Sequence, residues 1–382
     1  MAYQAGNASG LFATGTLIQG LIFVNHPSYA APAWQGTLLV IANVVIVSIF
    51  NLWGSHLIPY MQNGMFILHV LVLAAVVVPV WVLAPHASTS QVFTTFYNGG
   101  GWRNIGLSLL VGQISAIWGC LGSDAAAHMA EEVKDAGLSV PQAMFWSYLI
   151  NAIMAILVVI TICFAIPDLD AALNDPSGYP FLWAFRNGLD SPAPTIITSG
   201  ILILIFASNV SYLAATSRET FAFARDNGFP FSRWLGTVDG NLGIPRNALI
   251  FTSCISVLLS LINIGSNTAF NAIISLNTSS IMLSYAISIG SVLWRRIRHP
   301  ESLPLARWTL GRWGLPINLA GVLYAAWAFF WSFWPIGAVF QADEFNWAIV
   351  IFGAVTVYSA VDFVFRGRSV YSGPVTLVEG RK

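Results

Sequence analysis

Residues 117–141 read IWGCLGSDAAAHMAEEVKDAGLSVP, an apolar run interrupted by Gly122, Ser123 and Asp124 and closed by the acidic pair Glu131–Glu132. A carboxylate at the centre of a membrane span costs roughly 2.5–3.5 kcal/mol, so Asp124 must face protein or water. Gly122 tolerates a non-helical backbone. A break inside a span also bares N–H and C=O groups, which lipid does not tolerate; they have to line a cavity. Half-helix ends of this kind near the bilayer midplane mark binding sites for small polar solutes.

Each residue of the break has a chemistry. Carbonyls around Trp118, Leu121 and Gly122 end the first half-helix with partial negative charge and suit an ammonium group. The N–H groups after Asp124 open the second half and suit an anion. Ser123 adds a hydroxyl beside them. Asp124 has two compatible roles: an N-cap with its carboxylate on the N–H of Ala126 or Ala127, or direct contact with an amine. Trp118 is a packing group or a cation–π wall. Glu131, nearer the span than Glu132, is a solvated helix end beside Lys134, or a gate or proton-linked carboxylate. Ser208, Asn209 and Ser211 in one later span, and Asn277–Ser280 in another, serve as interhelical glue or as further binding groups. Asn209 and Asn277 are the candidates there. His69 and His128 are interhelical hydrogen-bonding groups or proton carriers.

The elements that position these residues are membrane helices. The chain has 382 residues, 56% hydrophobic and 8% charged, against roughly 25% charged in a soluble domain. Mean hydropathy is +0.71. An all-α polytopic membrane protein follows, embedded in a lipid bilayer. Net charge is zero, which excludes the basic footprint of a nucleic-acid partner. Cys120, Cys163 and Cys254 lie singly in apolar runs and are expected to be packing residues, with no metal or cofactor implied. About twenty apolar residues cross a bilayer, which predicts ten spans: 8–24, 37–53, 64–84, 104–130, 141–166, 195–215, 245–264, 269–293, 316–337 and 346–365. The first is marginal. With both termini in the cytoplasm, 14 of the 16 Lys and Arg fall in inner segments and only Arg103 and Arg186 outside, as the positive-inside rule requires. Arg218, Glu219, Arg225, Asp226 and Arg233, interleaved with phenylalanines, read as an amphipathic interfacial segment after span six.

Four blocks carry a resemblance. CLGSDAAAHMAEEVKDAGLSVPQAM at 120–144 and AATSRETFAFARDNGFPFSRWL at 214–235 are joined by GTLIQGLI at 15–22 and SLINIGSNTAFNAI at 260–273. In this order and spacing they resemble the amino acid–polyamine–organocation superfamily, in its fungal branch of GABA permeases and amino acid/choline transporters. The resemblance implies an inverted-repeat fold of twelve helices with discontinuous spans, of which about ten are present. Residues 1–103 would be the remnant of a first repeat, 104–298 the second, and 299–382 two further spans and a cytoplasmic tail. Span one resembles a shortened third helix, so the chain looks truncated at its N-terminus and lacks a partner break for the substrate carboxylate.

The implied activity is secondary transport of an amino acid or related amine, GABA-like, with protons as coupling ion, in the plasma membrane or the vacuole. Choline or a polyamine is the alternative substrate. A transport-incompetent remnant with a sensor or partner role is the rival from another class. An enzyme is not expected, because no His/Asp/Cys set shares a membrane plane. The N-x-S/T triplets at Asn7, Asn209 and Asn277 fall in or beside spans and are not expected to carry glycans.

Overall fold

In lipid the apolar effect does not drive helices together; small residues and interhelical hydrogen bonds do. The helix richest in both sits at the centre of this bundle. The computed structural model describes residues 1–130, 133–240, 242–265, 268–303, 306–342, 344–371 and 373. Helix α1 (Ala2–Asn25) is followed by α2 (Ala33–Trp53) and α3 (Ile58–Leu83), all three unbroken. Next come α4 (Ile105–Gly119), the single turn α5 (Ala125–His128) and α6 (Ala136–Phe164). The chain continues through α7 (Ala193–Arg225), α8 (Arg246–Ser260), α9 (Ala269–Arg298), α10 (Gly314–Trp331) and α11 (Ala348–Asp362). Among the described residues no strand occurs, and nine helices are long and apolar enough to cross a membrane. With the shorter apolar α4 they account for the ten expected spans.

The first span corrects its expected limits. It begins at Ala2 rather than residue 8, because Asn7 and Ser9 turn inward: both are 1% exposed. With α9 it is the most enclosed span, 61% of its apolar window being buried, against 11% for α3 and 6% for α6. It packs against α2, α7, α8 and α9, with Leu11 and Phe12 set among Val40, Val44, Val210, Leu213, Leu249 and Ile273. Polar bonds tie it on several sides. Gln4 donates to Thr220 (2.9 Å) and Thr252 (3.0 Å), and Asn7 donates to Ser256 (2.8 Å). Interhelical bonds in lipid average about 0.6 kcal/mol each, so the set holds α1 firmly while no single one decides it.

A second correction concerns residues 216–225. They do not form an interfacial segment; they are the last turns of α7, with Thr216, Ser217, Thr220 and Ala224 all buried. The interior face of this stretch is small and polar, so the helix continues into the bundle until Asp226. At the opposite end of the bundle, Arg186 meets Asp175 at 2.6 Å and lies over the Phe23 ring, 4.9 Å from its centroid. The cysteines are also not core residues. All three are free and exposed on the bundle.

Candidate functional site

The chain leaves helical geometry between α4 and α5. Asn104 caps the start of α4, accepting the N–H of Leu107 at 2.9 Å. At its far end the N–H groups of Cys120 and Leu121 fold back onto the carbonyls of Ile117 (2.9 Å) and Trp118 (3.1 Å). Gly122 then turns at φ +101°, a region where a side chain is strained. Among the described residues, the carbonyls of Gly119, Cys120 and Leu121 take no backbone N–H outside the helices. Of the carbonyls expected to be bare, Leu121 alone is; those of Trp118 and Gly122 take the N–H groups of Leu121 (3.1 Å) and Ala125 (3.1 Å).

This break opens on a cavity of about 850 Å³, within the roughly 300–1,000 Å³ of small-molecule sites. Cys120, Leu121, Gly122 and Ser123 form one wall. Gln62 and His69 of α3, Ser147 and Asn151 of α6, and Ser208 and Ser211 of α7 provide polar groups on the others. Gln62 and Ser211 are hydrogen-bonded to each other across the space between α3 and α7. Hydroxyls, amides and an imidazole at membrane depth fit a small polar solute better than lipid.

The remaining candidates lie elsewhere. Trp118 points to α1, its indole N–H donating to the Ser9 hydroxyl at 3.2 Å, with its ring edge-on to Phe270 at 5.8 Å. Asn209 donates to the Thr14 hydroxyl (2.7 Å) and the Gly10 carbonyl (3.3 Å). Asn277 donates to the Ala2 carbonyl at 2.9 Å. Both asparagines are buried, at 4% and 1% exposure, and each ties its helix to α1. Glu131 lies outside the described residues.

Asp124 requires a correction. It occupies the N-cap position of α5, but its side chain caps nothing. Its backbone is already helical at ψ −10°, which turns the carboxylate away from the N–H groups that a cap would serve. The carboxylate instead meets His128 one turn later, Oδ2 to Nε2 at 3.6 Å, and faces the hydroxyls of Tyr3 and Tyr285. The second half-helix is also a single turn of four residues. Its aligned dipoles are too few to hold the anion expected after Asp124. The break therefore has two faces, a cavity lined by Leu121, Gly122 and Ser123, and a buried acidic side built on Asp124.

Sequence reasoning missed Glu219 on that second face. The sequence reads it as part of an interfacial segment, whereas it lies on α7, about two turns beyond Tyr212. The signal was present in Thr216, Ser217 and Thr220, polar residues at helical spacing that continue the inward face of α7. The pairing of His128 with Asp124 was equally legible as an i,i+4 spacing.

Comparison with known proteins agrees with this architecture. Residues 1–355 match the family model described as amino acid permease. The chain is 28% identical over 320 residues to a provisionally named amino acid/polyamine transporter of Macrophomina phaseolina, covering 83% of this chain and 70% of that protein. It is 28% identical over 372 residues to the choline transporter of Saccharomyces cerevisiae, covering 96% and 64%. Amino-acid permease 2 of Neurospora crassa is 26% identical over 386 residues, covering 97% and 68%. The chain thus spans about two-thirds of the length of these relatives. The match over nearly the whole sequence, on a bundle of apolar helices with a span broken at Gly122, settles the assignment: the chain is an integral membrane protein of the amino acid permease family.

Proposed function

We propose that this chain carries a small amine-bearing solute across a membrane by alternating access. One observation carries the reading: the end of α4 at 119–121 presents bare carbonyls to a cavity whose other walls offer hydroxyl and amide groups. Carbonyls at a half-helix end receive an ammonium group. An amino acid of the GABA type is the first substrate proposed, with choline or a polyamine as the alternative. The names of the amino-acid permease and choline transporter relatives support that chemical range. Protons are the proposed coupling ion. The plasma membrane is the proposed location, with the vacuole second, and both termini are proposed to be cytoplasmic from the distribution of Lys and Arg.

A second reading is favoured by a separate observation. The cavity is flanked by α3 and α6, two of the least covered spans, so its wall is thin on that side. A chain with an incomplete site would bind without transporting, in a sensor or partner role. Uptake of labelled GABA and of labelled choline in permease-deficient yeast tests the two, with a full-length relative as positive control. Saturable uptake by this chain supports transport. No uptake at equal membrane abundance discards transport and favours the second reading.

A further inference from the structure

The acidic face of the break is built like a site rather than a packing contact. His128 sits on the single turn α5 with Nε2 3.6 Å from the Asp124 carboxylate, inside ion-pair range and just beyond a hydrogen bond. Its ring stands edge-on to Tyr3, centroids 4.5 Å apart, and Tyr3 in turn stacks on Tyr212 at 5.2 Å. The imidazole is therefore held in place by α1 and α7 rather than left to swing. Glu219 lies on the same helix as Tyr212, about two turns further on, and acts on the imidazole through its charge. Among the described residues, His128 Nε2, Asp124 Oδ1 and Tyr3 Oη are buried without a hydrogen-bond partner. Buried polar atoms are rarely left so, and these three face one another, so a proton on the imidazole would satisfy Nε2 and the carboxylate together.

We propose that Asp124, His128 and Glu219 form one proton-binding site behind the break, with the proton carried on His128 Nε2. With the imidazole neutral, the Asp124 carboxylate beside it is unpaired. One proton on Nε2 turns the two groups into a hydrogen-bonded ion pair. The proton arrives from water and returns to it, and no other bond changes. The ionisable groups facing the cluster are Tyr3 and the Met1 amino group from α1, Tyr212 and Glu219 from α7, and Tyr285 from α9. Arg218 precedes Glu219, with its guanidinium on the Ala214 carbonyl. His128 keeps 28% of its side-chain surface open and Asp124 14%, so the part of the imidazole away from the buried Nε2 is accessible.

The arrangement gives the proton a lever. Asp124 adjoins Ser123 and Gly122, which line the cavity, while His128 is clasped against α1 and α7. With His128 held, closing the pair draws Asp124 and the adjoining Ser123 and Gly122 toward it, and opening it releases that backbone next to the cavity wall. Proton occupancy thus sets the shape of the solute cavity from behind. This consequence rests on the transport reading; the proton site itself does not.

Two measurements on the full chain test it. In the purified protein labelled with ¹⁵N-histidine, the resonance lost in His128→Gln identifies His128. Its titration midpoint is expected to move by more than about half a pH unit in Glu219→Gln and in Asp124→Asn, while that of His69 stays. An unmoved midpoint in both variants overturns the site. In proteoliposomes under a pH difference of about one unit, coupling to one proton sustains roughly tenfold GABA accumulation. His128→Gln is expected to accumulate no GABA above the external concentration. Accumulation by His128→Gln equal to wild type overturns the proposal. Absence of any GABA movement by wild type overturns the transport reading alone, and the histidine titration then decides the proton site.

Discussion

The Asn209 amide reaches across 195 positions of sequence to donate to the Thr14 hydroxyl at 2.7 Å, and Gly10 lies one turn away with its carbonyl on the same amide. Position 209 therefore joins α7 to α1 rather than facing the cavity. Asn209→Ala is expected to lower stability by about 0.6 kcal/mol and at most about 1.7, read as a lower unfolding temperature in detergent. The KM for a transported amine is expected to stay unchanged, because no ground-state contact with solute is lost. A raised KM with unchanged stability would instead put Asn209 in the site.

The same contact explains Gly10. A Cβ built there would fall on the Asn209 amide oxygen, so Gly10→Ala is expected to destabilise α1 or force the amide out of its bonds, by about 1–3 kcal/mol for an overpacked position. In an Asn209→Ala background the extra methyl meets open space. The double variant is then expected to unfold near the temperature of Asn209→Ala alone, a non-additivity that thermal unfolding of all four proteins reads directly.

How much of this was legible follows from which forces act locally. The spans were readable because twenty apolar residues in a row have only one use, and the break at Gly122–Asp124 because a Gly/Ser/Asp triplet cannot hide in lipid. The partners were not. Whether Asn209 faces α1 or the cavity depends on how α7 is rotated against its neighbours, which hydropathy does not encode. Asp124 looked like a cap because Asp before an alanine run usually is one; its helical backbone angle, set by the preceding turn at Gly122, removed that option. Glu219 reads as part of an interfacial segment because charges interleaved with phenylalanines after a span ordinarily form one.

Gly122 carries the cavity wall at φ +101°, with Tyr212 as the only neighbour near an added Cβ, at 3.9 Å. A substitution there meets backbone strain and little steric resistance. Gly122→Ala is expected to cost about 1–3 kcal/mol, relieved by the turn shifting its carbonyls. Membrane abundance should remain measurable while uptake falls steeply. Gly112, on regular helix with open space around it, is the control: Gly112→Ala is expected to leave uptake unchanged.

Asp175 is 3% exposed at its side chain and Arg186 25%, so removing the cation strands a buried carboxylate. Arg186→Ala is expected to cost about 2–3 kcal/mol, below the roughly 3–5 of a fully buried pair, because water reaches the arginine side. Adding Asp175→Asn removes the stranded charge and keeps an oxygen for the Ser177 N–H, now bonded at 3.0 Å. The double variant is expected to regain most of the lost unfolding temperature. No recovery would mean that Arg186 acts through its contact with Phe23.

The three cysteines give an independent test of where water enters. Cys120 lines the cavity, whereas Cys254 lies in an apolar groove with Val44, Leu249 and Leu258, and Cys163 stands near the end of α6. Thiol reagents attack the thiolate, which forms in water and not in hydrocarbon. A charged, membrane-impermeant methanethiosulfonate is therefore expected to modify Cys120 far faster than Cys254, as read by mass spectrometry of the protein in nanodiscs. An amine that binds at the break should slow labelling of Cys120, because the carbonyls it occupies belong to the same turn. Labelling of Cys254 ahead of Cys120 would mean that the cavity is lipid-filled, and the break would then have no aqueous face to offer a solute.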